Sequence, residues 1–572
     1  MIIIENANNN IDATLGLIEN VPKAILGKLG ISYLLNYNNE EIEVIIITSS
    51  TAEELEAILS TFDATYEDLG FGFGIVTLKP ENLVRLANVN TIQYIELPKR
   101  LITSDVQGNI ASCVIQPRET YNIRGEGVLI GFIDSGIDFT HPAFRWEDGK
   151  TRIDYIYDLS EGGKVYNADI INEALENSDP YSIVPVVDVT GHGTHVVGIA
   201  CAGGNISEDL YGVAPRSSIA MVKSTRGLYA ISTNIMRGIR FLIDRARELN
   251  KPLVINISLS TNDGAHNGAS LLEQYVSTIA TLERVTIVIA AGNEGDTSHH
   301  RGGSLNEEEN IYINVSPGER LLVINLYKSV LPEISIRLLS PTGEMSSEVI
   351  IREGYYDGLV GQDRYQIFYT GPKPFDLIGE TSIAIVPRGD YILEGQWEIR
   401  MRVLNEYEGE YDMWLPISES LNPATRFLEP TVLNTLGIPA TVTNIIAVGS
   451  YNYTTNTISS FSGRGREGGG NRTRPDLVAP GENIMSTAPN RSFTSRSGTS
   501  MATPNVSGIA ALMMEWGLVR RNDLYLFGER LKYYLIISAK RPVGDILYPN
   551  PSWGYGEVCL NRAMQEITSV IG

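Results

Sequence analysis

The sequence predicts an open α/β fold with two additional parts: a small α+β unit ahead of it and an all-β sandwich inserted within it. Three observations lead there. At 572 residues the chain is too long for one hydrophobic core. Continuous apolar runs alternate with helical stretches, the mark of strands buried on both faces of a parallel sheet. Between Glu307 and Glu429 the texture changes to short alternating strands separated by turns.

In order along the chain, residues 1–103 read as strand, helix, strand, helix, strand. Glu43–Thr48 is a strand, and Thr51–Leu59 is a helix with Ser50 and Glu53 at capping-box spacing. Gly74–Leu78 is a strand, Pro80 opens a helix to Leu86, and Thr91–Leu97 alternates as a half-buried strand. Residues 104–306 begin the α/β part. Its buried strands are Val128–Ile133, Ser218–Lys223, Leu253–Ile257 and Val285–Ile289, with helices near Ile231–Arg247 and Leu271–Leu282. Residues 307–429 form the sandwich, clearest at Arg320–Leu326, Glu333–Leu338 and Trp397–Val403. Residues 430–572 resume the α/β texture at Ile445–Val448, and Gly468–Gly470 marks a surface loop.

The 45 basic and 68 acidic residues give a net charge of −23, which argues against nucleic acid or an anionic membrane as partner. No stretch reaches the roughly 18–20 apolar residues of a membrane span. Met1–Asn6 lacks the basic and apolar regions of a secretory signal. Cys113, Cys201 and Cys559 lie far apart without a CxxC, so reduced cysteines and no metal site are expected.

Four motifs carry chemistry. Asp134 follows a buried strand, where open α/β sheets place their sites, whereas Asp138, further into the loop, reads as structural. His192 and His195 lie in Gly191-His192-Gly193-Thr194-His195. The i, i+3 spacing without a third ligand disfavours a metal pair; His192 projects from a helix start into a cleft and His195 packs beneath it. Ser500 lies in Gly498-Thr499-Ser500-Met501-Ala502-Thr503-Pro504, at a helix N-terminus whose N–H groups favour a developing oxyanion. Pro504 is expected in the first turn, where its missing N–H is not needed. Asn293, in the Gly-rich turn after Ile289, carries an amide able to donate to that oxyanion.

These motifs in the order Asp, His, Ser resemble the subtilisin-like serine proteases, with further matches at Val254–Ser260, Arg474–Gly481 and Trp553–Gly556. The resemblance implies a subtilisin-like parallel sheet with helices on both faces. It implies that Ser500 is the nucleophile, His192 the general base and acid, and Asp134 the group that orients His192. Asn293 and the Ser500 N–H would bind the oxyanion. Ser258, Leu259 and Ser260, with Ala290, Ala291 and Gly292, would bracket the substrate chain.

Two departures stand out. The family commonly has glycine where Ser260 stands, and a calcium-binding acid nine residues after the catalytic Asp is here Ala143, so no metal and no cofactor is expected.

The resemblance also makes residues 1–103 a propeptide that templates folding, stays bound and is cut by its own domain near Thr103-Ser104. Pro98-Lys99-Arg100 is a basic alternative for another protease. The layout, with an insert that the resemblance makes jelly-roll-like, is similar to the clostridial Csp germination proteases. That implies a spore or cytoplasmic protein whose substrate is a cortex-lytic proenzyme. A general intracellular protease and a pseudoprotease acting as sensor or scaffold remain the alternatives.

Overall fold

The computed structural model of the chain describes residues 10–11, 15, 41–98, 100–102, 111–160, 162–227, 229–467, 473–542 and 546–571. The N-terminal Met1–Asn6, the expected cut at Thr103-Ser104 and the Gly468–Gly470 loop lie outside the described residues. The chain divides into two compact units.

One unit holds Arg100–Thr261, Leu272–Asp296 and the chain from Leu433 onward. Its centre is a parallel sheet in the order Ile446–Asn452, Val285–Ala290, Leu253–Ile257, Leu129–Asp134, Ser218–Lys223, Ile153–Asp158. Antiparallel strand Lys164–Asn167 flanks one end; at the other, Ile446–Asn452 pairs with antiparallel Thr457–Ile458 and with parallel Leu477–Pro480. Every residue of Leu129–Asp134, Leu253–Ile257 and Val285–Ala290 is buried, which is why these segments read as unbroken apolar runs.

The first of these strands in sequence, Leu129–Asp134, sits mid-sheet. On one side the chain first lays down Ile153–Asp158 and then inserts Ser218–Lys223 between it and Leu129–Asp134; it then crosses to the other side of Leu129–Asp134 and builds from Leu253–Ile257. The strand order therefore reverses between those two strands, and their carboxyl ends open onto the crevice where such sheets bind ligands.

Helices His192–Cys201 and Thr499–Met514 are buried at every position, so neither shows an amphipathic stripe; they run through the core rather than over it. Pro504 is the sixth residue of its helix, not part of the first turn as expected. Its missing N–H would have bonded the carbonyl of Ser500, four residues back. That carbonyl instead accepts from the Ser258 hydroxyl at 3.1 Å.

The cysteine expectation is also corrected. Cys113 and Cys559, 446 residues apart in sequence, are joined as a disulfide with a Cα–Cα distance of 5.0 Å. Spacing gave no hint, because only the fold brings these two segments together: the Leu560 N–H donates to the Ser112 carbonyl at 3.0 Å. Cys201 is free and buried, and burial pushes its thiol up to about 12.

The second unit holds the described residues up to 98, Asn262–Leu271 and Thr297–Val432. Its N-terminal part is an antiparallel sheet in the order Thr65–Gly70, Phe73–Leu78, Ile42–Thr48, Ile92–Glu96. Sequence analysis missed Thr65–Gly70, an edge strand with one buried residue in six. The helix Ala52–Leu59 is capped by Thr51 with Glu54, one residue beyond the expected Ser50 and Glu53. Pro80 opens a short 3-10 turn leading into the helix Leu83–Ala87.

The rest of this unit is two antiparallel sheets, of six and five strands, sharing one core built around Leu322, Ile324, Ile336, Ile383, Trp397 and Ile399. The first of their strands is His300–Leu305, ahead of the expected boundary at Glu307. Its sequence, HRGGSL, is too glycine-rich to read as a strand. The two parts of this unit touch: the Tyr94 ring meets Phe375 edge-on with centroids 5.0 Å apart, and Lys373 Nζ lies 5.3 Å from the Tyr94 ring centre.

Candidate active site

Asp134 is the last residue of its strand and is fully buried. Its Oδ1 accepts from the Ser135 N–H at 2.7 Å and faces His192 Nδ1 at 2.6 Å. The Asp134 carboxylate therefore holds the imidazole through Nδ1. His192 is the first residue of its helix and follows Gly191, whose φ of +68° lets the chain turn sharply into it. Gly193 sits so close to the Asp134 turn that a β-carbon there would lie 2.1 Å from the Gly136 carbonyl. Glycine at that position is what allows acid and imidazole to meet.

Sequence analysis did not single out the group that fixes this meeting. Asp188, 4% exposed, accepts from the Gly191 N–H at 3.0 Å, the Thr194 N–H at 2.8 Å, the Thr194 hydroxyl at 2.7 Å and the Ser135 hydroxyl at 2.8 Å. The Ser135 hydroxyl in turn accepts from the Gly193 N–H at 2.9 Å. The carboxylate thus satisfies the donors of the His192 helix start and ties them to the residue after Asp134. An acid four residues before a helical histidine was the available signal.

Ser500 is the second residue of its helix and is 2% exposed. Its hydroxyl donates to the Ser258 carbonyl at 2.9 Å. Asn293 Oδ1 accepts from the Thr499 N–H at 2.9 Å and from the Thr499 hydroxyl at 3.1 Å. That settles the orientation of the amide: its oxygen faces the helix start, and its NH2 is the end that can serve an oxyanion.

Ser258–Ser260 follow the strand Leu253–Ile257, with Ser258 bonded to Ser500; Ala290 ends the neighbouring strand Val285–Ala290, and Ala291–Gly292 lead from it to Asn293. Beside Asp134, whose carbonyl accepts from the Ser224 N–H at 2.8 Å, the hairpin Thr225–Arg226 with Tyr229–Ile231 begins. The strand Arg100–Ile102 pairs antiparallel with Tyr229–Ile231, Ile102 opposite Tyr229 and Arg100 opposite Ile231.

His195 is fully buried, with Nε2 3.2 Å from the Thr494 carbonyl. Burial, followed by nearby Arg496 and His192, lowers it to about 3, so it is neutral and structural. Asp138 Oδ1 accepts from the Thr140 N–H at 3.0 Å and the Thr140 hydroxyl at 2.6 Å, a loop-closing role.

Among the described residues no cluster of three His, Cys, Asp or Glu side chains could hold a metal ion. Ala143 offers no side-chain oxygen, and its carbonyl accepts from Arg152, a buried guanidinium that also donates to the carbonyls of Cys201 and Ser217. A cationic side chain already collects these oxygens, so the residues do not fit a calcium ion.

Comparison with known proteins decides the family. The subtilase family model matches residues 125–319 and 428–556. The chain belongs to the subtilase family. A second model, the Csp protease B prodomain, matches residues 9–99. The solved structure of the Clostridium perfringens CspB protease is 53% identical, with a TM-score of 0.78, covering 80% of this chain and 98% of that one.

More distant subtilases also align. The PIII-type proteinase of Lactococcus lactis subsp. cremoris is 23% identical over 545 residues, 84% of this chain. The minor extracellular protease Vpr of Bacillus subtilis is 25% identical over 481 residues, 77% of this chain. The chain spans only 27% and 52% of those two relatives. In this subtilase no described helix is long and apolar enough to cross a membrane.

Proposed function

We propose that the chain is a serine endopeptidase in which Ser500 attacks the scissile carbonyl. His192 takes the Ser500 proton and returns it to the leaving amine. Asp134 orients the imidazole and stabilises its charged form. The Asn293 amide and the Ser500 N–H at the helix start hold the oxyanion. The observation that carries this reading is the 2.6 Å contact of His192 Nδ1 with a buried Asp134, in a crevice that also holds a serine at a helix N-terminus.

The enzyme cuts its own chain near Thr103-Ser104, and the released propeptide stays bound. Two features support this. Residues 9–99 match a prodomain model. The Arg100–Ile102 strand pairs with Tyr229–Ile231 beside the catalytic acid, as a substrate strand adding to a groove would, and ends one residue short of Thr103. A cut after Arg100 by another protease is less well supported, since Arg100 stands at the start of that pairing rather than past its end.

The natural substrate is a cortex-lytic proenzyme activated by limited proteolysis during spore germination, on the likeness to the CspB protease. A fluorophosphonate probe should label Ser500 in the wild type and nothing in Ser500→Ala. A panel comparing denatured proteins with a cortex-lytic proenzyme separates this substrate from general intracellular proteolysis, which would degrade both alike. An unlabelled serine with no cleavage would leave a pseudoprotease.

A further inference from the structure

Ser260 is buried and lies two residues beyond Ser258, whose carbonyl accepts from the Ser500 hydroxyl. Behind it, the Thr261 N–H donates to the Ile438 carbonyl at 3.0 Å, and the Ile438 N–H donates to the Thr261 carbonyl at 2.9 Å. The Gly437 N–H donates to the Ala291 carbonyl at 2.7 Å. The backbone at Gly437 is thus bonded to both flanking segments and lies between them.

A β-carbon on Gly437 would stand 2.6 Å from the Ser260 β-carbon and 3.0 Å from its hydroxyl oxygen. A β-carbon on Gly292 would stand 3.3 Å from the same oxygen. The Ser260 hydroxymethyl group therefore lies over Gly437 and against Gly292, filling the notch that two glycines would otherwise leave.

On the peptidase reading, a peptide carbonyl held between Ser500 and Asn293 would present the side chain of its own residue to this notch. The reason is connectivity: Ser258 touches the nucleophile and Asn293 follows Gly292 directly. A flat ring needs about 7 Å between opposing wall atoms, two van der Waals contacts of about 3.5 Å each. The Ser260 oxygen stands 3.3 Å from where a β-carbon on Gly292 would be, which puts it within about 5 Å of the Gly292 α-carbon, short of that gap.

We propose that Ser260 determines specificity by closing this pocket, so that the residue preceding the scissile bond must be small and uncharged, such as alanine, serine or threonine. The inference rests on the peptidase reading above. The proposed self-cleavage position agrees with it, since Thr103 carries a short side chain.

The test is a series of fluorogenic peptides differing only before the scissile bond (alanine, threonine, leucine, phenylalanine), given to purified wild type, Ser260→Gly and Ser260→Ala. Wild type should cleave the alanine and threonine peptides at least about tenfold better in kcat/KM than the phenylalanine peptide. Ser260→Gly should raise the phenylalanine-to-alanine ratio by about tenfold or more. Ser260→Ala, which keeps the β-carbon over Gly437 but loses the oxygen beside Gly292, should give a ratio between wild type and Ser260→Gly, separating pocket volume from general damage. In the full chain, Thr103→Phe should block self-cutting and Ser260→Gly should restore it. A ratio indifferent to Ser260→Gly would overturn this assignment alone; failure of every protein to cleave any peptide would overturn the peptidase reading beneath it.

Discussion

The Ser500 hydroxyl donates to the Ser258 carbonyl at 2.9 Å, and the Ser258 hydroxyl donates to the Ser500 carbonyl at 3.1 Å. Ser258 thus grips Ser500 at side chain and backbone together. The second bond exists because Pro504 has no N–H to claim the Ser500 carbonyl. The Ser258 hydroxyl also accepts from Asn256 Nδ2 at 3.0 Å, which ties the pair to the centre of the sheet.

Ser258→Ala leaves two buried groups, the Ser500 carbonyl and the Asn256 amide, without that partner. Stability should fall by about 1–3 kcal/mol, read as a lower urea midpoint with an unchanged slope. A midpoint equal to wild type would mean the Ser258 hydroxyl holds nothing.

Removing the chemical groups should be far more costly to rate than to fold. Ser500→Ala and His192→Ala should each lower kcat by about six orders of magnitude, and the double variant hardly further, since the two act as a unit. Asp134→Asn should cost roughly 10⁴, because the amide supports the wrong imidazole tautomer. Additive losses in the double variant would separate the two residues.

Asn293→Asp keeps the oxygen that receives both Thr499 bonds while replacing the NH2 donor. Kcat should drop roughly 10²–10³-fold with KM little changed, the mark of a bond made in the transition state. A change confined to KM would place Asn293 in substrate binding alone.

His195 supplies a pH signature. The fold lowers it to about 3, chiefly by burial, against about 6.5 in an unfolded chain. The fold holds it neutral, so its stabilising effect is complete above about pH 6.5 and is lost as pH falls from there toward 3. Between pH 7 and pH 5 this one group should lower stability by about 2 kcal/mol. Denaturant unfolding of His195→Gln should lose correspondingly less over that interval; equal losses would show that His195 is not held neutral.

The legible parts of this chain were those whose physics is local. The runs Leu129–Asp134 and Leu253–Ile257 are apolar because they are buried on both faces, and the glycines around His192 mark close backbone approaches. What escaped depends on distant partners. The Cys113–Cys559 pair needs the folded unit, and Asp188 gains its role only when the Ser135 turn and the His192 helix meet. Thr65–Gly70 is strand because Phe73–Leu78 pairs with it, not because its polar residues favour extension. Pro504 was placed one turn too early, so its effect on the Ser500 carbonyl could not be read from sequence.

Intact mass and N-terminal sequencing of wild type beside Ser500→Ala, prepared identically, test the account most directly. The account predicts a wild type in two pieces, broken near Thr103-Ser104, and a Ser500→Ala chain in one. A Ser500→Ala chain cut at the same bond, or a wild type that never cuts, would contradict it.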